Sequence, residues 1–177
     1  FWIKNFEIAA PAAWNFETMK KLFVIATVML FSITAWAETV PATDSRITFV
    51  GRSFVENDSY RFDFPSTYFR VAFTGKKLSM RVTDTKRNYY AVFVNTPTSA
   101  EPTRIVEVKG TDTIIDLVLP VDLKALKTKE YQVVIQRRTE ANCGTTTVKE
   151  FITDGKFLQA EPLKARQIEF IGDSYTC

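Results

Sequence analysis

From Ile47 onward, apolar and polar residues alternate in short runs separated by turn-forming residues roughly every 8 to 12 positions, the pattern of antiparallel strands in a sandwich or barrel. Phe69, Val71 and Phe73 fall on one side of a strand, with Arg70 and Ala72 on the other. Leu78, Met80 and Val82 repeat the pattern against Lys77, Ser79, Arg81 and Thr83, and Thr74-Gly75-Lys76 between the two runs predicts a hairpin with the two strands as antiparallel neighbours. Further strands are predicted at Ile47 to Val50, Tyr60 to Phe64, Tyr89 to Val94, Arg104 to Val108, Thr113 to Leu119, Tyr131 to Gln136 and Val148 to Thr153, rich in the Val, Ile, Phe and Tyr that suit a pleated, half-buried surface. Asp122 to Lys129 is the one candidate helix, short and with Asp122 as its cap. About nine strands point to an all-β, jelly-roll-like two-sheet β-sandwich over residues 38–160.

Composition narrows the functions open to such a body. The chain has 177 residues, 46% hydrophobic and 24% charged, enough for one domain or a domain with a piece of another. A net charge of +3 from 23 basic and 20 acidic residues, with no concentrated basic patch, argues against nucleic acid as a partner. There is no His, so the commonest general base and the commonest metal ligand are both missing. Scattered Asp and Glu show no metal-loop spacing, so the residues predict no metal cofactor.

The N-terminal region reads as a targeting signal. Met19-Lys20-Lys21 is followed by the apolar run Leu22 to Thr34 and by Ala35-Trp36-Ala37: a positive start, an apolar stretch shorter than the roughly 20 residues a bilayer span needs, and small residues at a cleavage site. Residues 19–37 are therefore expected to be a signal peptide cut after Ala37, residues 1–18 an upstream extension outside the fold, and the product a secreted or periplasmic monomer with no membrane partner. Trp2, Trp14 and Trp36 all precede that cut. The two cysteines, Cys143 and Cys177, would then enter an oxidising compartment, but spacing alone does not establish the geometry of a bridge.

Surface candidates are weak. The basic pairs Lys76-Lys77, Lys86-Arg87 and Arg137-Arg138 sit at turns or strand ends and read as solvated surface. Asn57-Asp58-Ser59 matches the glycosylation acceptor pattern. Tyr68, Tyr89 and Tyr90 could offer faces to a sugar ring, but alternating Tyr in strands is the ordinary material of sheet packing.

The last residues differ in kind. The apolar strand Ile168-Glu169-Phe170-Ile171 runs into Gly172-Asp173-Ser174, the composition of a strand-to-helix turn that allows a tight backbone and caps a following helix. Such a turn at the carboxyl end of a parallel strand presents a side chain at the mouth where open α/β sheets bind ligands. Ile168 to Cys177 resembles the first block of the SGNH/GDSL hydrolases, in particular the family-two carbohydrate esterases, whose members carry a jelly-roll domain ahead of the catalytic one. Val134-Ile135-Gln136-Arg137-Arg138-Thr139-Glu140 is similar to the leading-domain strand that ends in a basic residue, Thr and Glu.

The resemblance implies that residues 161–177 are a linker and the first strand of a truncated α/β (flavodoxin-like) hydrolase domain. It implies Ser174 as nucleophile and first oxyanion N–H, with Gly172 and Asp173 as the supporting turn. The implied substrate is acetylated plant polysaccharide or oligosaccharide, and the implied route is serine acyl transfer. The family's remaining Gly, Asn and late His match nothing here and would lie beyond Cys177, so the 177-residue chain is expected to be inactive. The alternatives are a non-catalytic secreted sandwich that binds carbohydrate and an extracellular structural or adhesive domain. Both leave Gly172-Asp173-Ser174 without a role.

Overall fold

The computed structural model describes residues 37–166. Within them lie β1 (Glu38–Pro41), β2 (Thr48–Val50), β3 (Phe54–Glu56), β4 (Ser59–Phe62), β5 (Tyr68–Thr74), β6 (Leu78–Val94), β7 (Arg104–Val118), the single-turn helix α1 (Pro120–Leu123), β8 (Glu130–Arg137), β9 (Thr146–Thr153) and β10 (Phe157–Leu158). Every pairing is antiparallel. The result is the all-β, jelly-roll-like sandwich that the alternation predicts. The predicted terminal strand and the predicted turn at Gly172, Asp173 and Ser174 lie outside the described residues.

The sandwich has two layers that share one long hairpin. Tyr90–Val94 of β6 pair with β8, which pairs with β5, and β5 carries β2 and β10 on its other edge. Leu78–Asp84 of β6 pair instead with β9, which carries β1 and β4. β7 follows β6 through both layers, with register shifts between Val82 and Asp84 and between Asp84 and Arg87. Bulges of this kind bend a strand and raise its twist, and here they turn β6 from one layer into the other. The separate segments predicted at 78–83 and 89–94 are thus one strand, as are those at 104–108 and 113–119. The alternation breaks at a bend within the strand, not at a loop.

One predicted pairing is corrected. β5 and β6 are joined through Gly75 but are not neighbours, because the chain crosses between layers there. Both strands alternate against the same core from opposite sides, a pattern identical to that of paired strands. Phe69 of β5 meets Phe151 of β9 across the layers, ring centroids 5.3 Å apart in edge contact. Phe62 lies against both Phe69 and Tyr90. The continuous core runs from Val40, Phe62, Met80, Val82, Val148 and Phe151 on one side to Phe69, Val71, Phe73, Val92, Val133 and Ile135 on the other.

The crossing is stapled to a second one. Thr153–Lys156, where the chain passes from β9 to β10, lies beside Thr74–Lys77. Asp154 Oδ1 accepts from the Lys76 and Lys77 N–H groups at 2.7 and 3.0 Å, and the Thr153 hydroxyl lies 2.9 Å from the Lys77 carbonyl. The approach is close enough that a Cβ on Gly155 would fall 2.0 Å from the Thr74 carbonyl oxygen. The predicted helix is also corrected: the helical turn is Pro120–Leu123, and Asp122 is its third residue and not its cap. Pro120 supplies the preset φ that opens the turn, and the Asp122 carboxylate reaches back to accept the Leu119 N–H at 2.8 Å.

Gly155→Ala is expected to lower stability by about 1–3 kcal/mol, because backbone and not a flexible side chain blocks the added carbon. Urea denaturation against the parent chain measures it.

Candidate functional site

Polar side chains gather in three places on this scaffold. The most buried is the bend of β6, where Asp84, Asn88, Arg137 and Thr146 are all enclosed. The Thr146 hydroxyl donates to Asp84 Oδ2 at 2.6 Å and accepts from the Tyr90 hydroxyl at 2.8 Å and from Arg137 Nη1 at 3.0 Å. One donor and two lone pairs are all a hydroxyl has, so Thr146 is saturated. Asn88 Nδ2 donates to both Asp84 oxygens at 2.9 and 2.8 Å while its Oδ1 accepts the Thr139 hydroxyl. Arg137 also donates to the carbonyls of Thr139, Glu140 and Gly144 at 3.0, 3.1 and 2.7 Å.

Arg137 is therefore a correction to the reading of Arg137-Arg138 as solvated surface: it is fully buried. Strand alternation places it on the inward side after Val133 and Ile135, and the guanidinium is tolerated because carbonyls and a hydroxyl meet its N–H groups. It holds the Thr139–Gly144 loop against the bend, which gives the segment Arg137-Arg138-Thr139-Glu140 a structural role. That loop contains the short 3₁₀ turn Ala141–Cys143, and Cys143 is a free, half-buried thiol. Cys177 lies outside the described residues. Tyr90 is likewise a core residue. Burial pushes its phenol up to about 12 despite the bonds from Thr146 and Arg137. Tyr89 stands exposed beside it, its hydroxyl 3.4 Å from Glu107, and Tyr68 is half-buried.

The second gathering ties the two ends of the sandwich. Glu38 accepts the Phe157 N–H at 2.6 Å and pairs with Arg46 at 2.9 Å, and Arg46 pairs with Asp44 at 2.9 Å. The Phe157 N–H, with help from Arg46, holds the Glu38 carboxyl below its ordinary range, and the Arg46 guanidinium does the same for Asp44. The chain then continues past β10: the Ala160 N–H donates to the Arg46 carbonyl at 3.0 Å. Arg70 pairs with Glu161 at 3.1 Å and donates to the Pro162 carbonyl at 3.2 Å, and Gln132 Oε1 accepts the Glu161 N–H at 3.2 Å. The exit of the chain from the sandwich is thereby fixed across β5 and β8.

The third is a shallow cleft of about 610 Å³ between β1, the β3–β4 turn and β9, with Arg61, Lys149, Glu56 and Glu150 among its walls. The Asn57 and Asp58 of the acceptor pattern form its turn, both in the left-handed region at φ 48° and 57°, as a two-residue hairpin requires. Among the described residues no three His, Cys, Asp or Glu side chains stand together as metal ligands. Gly172, Asp173 and Ser174 lie outside the described residues, as do residues 19–36 of the predicted signal. The described sandwich thus contributes a stiff body with a fixed exit. The buried network was missed by sequence reasoning, although an Arg at an inward position of an alternating strand is a signal for it.

The comparisons with known proteins agree with this architecture. Residues 49–162 match the model of the carbohydrate esterase 2 N-terminal family, and the chain belongs to that family. It is 29% identical over 132 residues to an acetylxylan esterase / glucomannan deacetylase of Cellvibrio japonicus (strain Ueda107), covering 71% of this chain and 33% of that protein. Among solved structures it is similar to a family two carbohydrate esterase from Clostridium thermocellum in complex with cellohexaose (TM-score 0.62, 27% identity, 74% of this chain and 38% of that one). The fold also matches a family two carbohydrate esterase from Cellvibrio japonicus (TM-score 0.59, 22% identity, 74% and 37%). The chain spans about a third of the length of the curated relative it matches.

Thr146→Val keeps the shape of the side chain and removes the hydroxyl that Asp84, Tyr90 and Arg137 share. It is expected to cost about 3 kcal/mol or more, as partners are left buried and unpaired, read by urea denaturation. Stability should also fall with alkali: burial pushes the Tyr90 phenol up from the ordinary tyrosine value of about 10 to about 12, so its contribution is complete below about pH 10 and lost between about 10 and 12, about 2–3 kcal/mol. Thermal unfolding across that range, with Tyr90→Phe as the insensitive control, checks it.

Proposed function

We propose that this chain is the leading part of a secreted carbohydrate esterase that removes acetyl groups from plant polysaccharide or its oligosaccharides through a serine acyl-enzyme. The observation that carries this reading is order along the chain. A sandwich matched to the carbohydrate esterase 2 N-terminal family over residues 49–162 is followed at once by Ile168-Glu169-Phe170-Ile171-Gly172-Asp173-Ser174. A relative of the same family is named an acetylxylan esterase / glucomannan deacetylase.

The chemistry proposed is acyl transfer with Ser174 as the attacking group. A general base supplied by residues after Cys177 takes the Ser174 hydroxyl proton as the oxygen attacks the acetyl carbonyl. The Ser174 N–H, at a helix start, faces the oxyanion that forms. Sugar leaves as the alcohol with the proton returned to it, and water then releases acetate and restores the hydroxyl. Gly172 and Asp173 shape the turn that presents the nucleophile. The sandwich has no part in bond making in this reading. Its buried Ser and Thr hydroxyls are all engaged: Ser79 and Thr146 on the Asp116 and Asp84 carboxylates, Thr67 and Thr153 on backbone carbonyls.

Secretion is part of the proposal. With the signal at 19–37 cut after Ala37, the mature chain begins at Glu38, the first residue of β1. Protein sequencing of exported material is expected to start at Glu38.

In the longer protein read from the coding sequence past Cys177, Ser174→Ala is expected to reduce acetate release from acetylated xylan or glucomannan by about 10³-fold or more. The 177-residue chain should release none above background. Full activity in the Ser174→Ala protein would overturn the mechanism. A stop codon at Cys177 would leave the carbohydrate-binding sandwich as the better reading.

A further inference from the structure

β9 offers one edge to two strands in succession. Glu38–Pro41 of β1 pair with Glu150–Thr153, and Tyr60–Phe62 of β4 pair with Thr146–Val148. Between those pairings the chain departs at Ala42, whose N–H donates to the Lys149 carbonyl at 2.9 Å, and comes back to β9 through the β3–β4 hairpin. The shallow cleft of about 610 Å³ opens at this junction. β9 lines it with Thr147 and Lys149, β1 with Thr39 and Pro41, and the hairpin with Glu56 and Arg61.

The charged side chains of the cleft fall into two groups. Lys149 is tied to Asp112 at 2.8 Å and Glu150 to Arg81 at 3.1 Å. The Glu56 and Arg61 side chains, by contrast, have no ion pair or hydrogen bond among the described residues. Glu56 is opposite Ser59 and Phe54 is opposite Arg61, so all four stand on one face of the hairpin. The Arg61 guanidinium lies 5.8 Å from the centre of the Phe54 ring, and Phe54 is 76% exposed. The hairpin is anchored from its other face, where Tyr60 stacks on Phe49 and Phe62 enters the core. The fold therefore has no need of Phe54, Glu56 or Arg61, and together they offer an acceptor, a donor and an open aromatic ring.

We infer that this cleft holds a neutral sugar chain, with Phe54 against the C–H face of a pyranose ring and Glu56 and Arg61 on its hydroxyls. The inference goes beyond the esterase reading, since it gives the sandwich a sugar contact that does not depend on Ser174, and takes from that reading only the choice of sugar. A ligand that both donates and accepts along its length satisfies a free carboxylate and a free guanidinium at once, and each sugar hydroxyl does both. An aromatic ring supplies the apolar area that the C–H face of a sugar needs. Polymers of one charge sign fit badly: a polyanion meets Glu56, Asp58 and Glu150, and a polycation meets Arg61 and Lys149. An extended peptide would seek the free backbone edge of β3, whereas the unpaired groups here are side chains. The volume lies within the range of about 300–1,000 Å³ usual for small-ligand sites, and the shallowness suits a chain that passes across the surface.

The test titrates unacetylated xylohexaose and mannohexaose into the 177-residue chain by isothermal titration calorimetry. Saturable binding of at least one is expected, weakened about tenfold or more in Phe54→Ala and in Arg61→Ala. Ile105→Ala, at a 49% exposed position on the part of β7 that pairs with Tyr89–Val92, should bind as the parent does. The three substituted side chains are exposed, and unchanged thermal unfolding verifies that each variant keeps the fold. No saturation by either sugar, or equal affinity in all four proteins, would overturn the inference. So would hexagalacturonate binding about tenfold tighter than either neutral sugar, which would give Arg61 to an acidic ligand. Self-association of the parent that Phe54→Ala abolishes would also overturn it, giving the ring to a second copy of the chain. Neither sugar carries an acetyl ester and acetate release is not read, so failure here is distinct from failure of the esterase proposal.

Discussion

A single strand shared by two layers has to bend, and a bend inside a sheet breaks the ladder of backbone bonds at the place where the protein is driest. The Thr146 hydroxyl meets that constraint. It joins a carboxylate from the bend in β6, a guanidinium from the end of β8 and a phenol from the far arm of β6. With those groups matched, β6 hands its pairing from β9 to β8 while the buried polar side chains at the bend keep partners. The aromatic contacts among Phe62, Phe69, Tyr90 and Phe151 then pack the space between the layers that the bend has defined.

The strands were legible because alternation reports which residues face inward, and Phe69, Val71, Phe73, Leu78, Met80 and Val82 all do. Alternation does not report which layer a strand belongs to. That is why β5 and β6 read as a hairpin although the chain passes between layers at Gly75, and why the bent β6 and β7 read as four strands. The short β1, β3 and β10 were not anticipated. β1 and β10 are placed by partners far along the chain, Glu38 opposite Thr153 and Phe157 opposite Phe73, while β3 is a three-residue strand that closes a tight hairpin on β4. Arg137 misled for a related reason: its charge marked it as surface, while its position in the strand placed it inside. The Ser174 motif was legible as a motif because it depends on local turn chemistry.

The sandwich and the motif divide the labour in the proposed esterase. The enclosed groups Asp84, Asn88, Arg137 and Thr146 are bound to one another at the bend, so the proposal assigns reactivity to residues after the tether. What the sandwich supplies is position. Its exit is held by Arg70 and Gln132, outward residues of β5 and β8, while the outer face on the β9 side carries a ladder of ion pairs.

The tie between Glu38 and Phe157 bears on how the molecule comes into being. The first strand residue is bonded to one near the end of the fold, and β1 lies against β9, so β1 has no local partner to close on. During synthesis β1 therefore stays without its partner until β9 has emerged, and the Glu38 tie waits for Phe157. The local hairpins form first, and the sandwich shuts last, at its N-terminal edge.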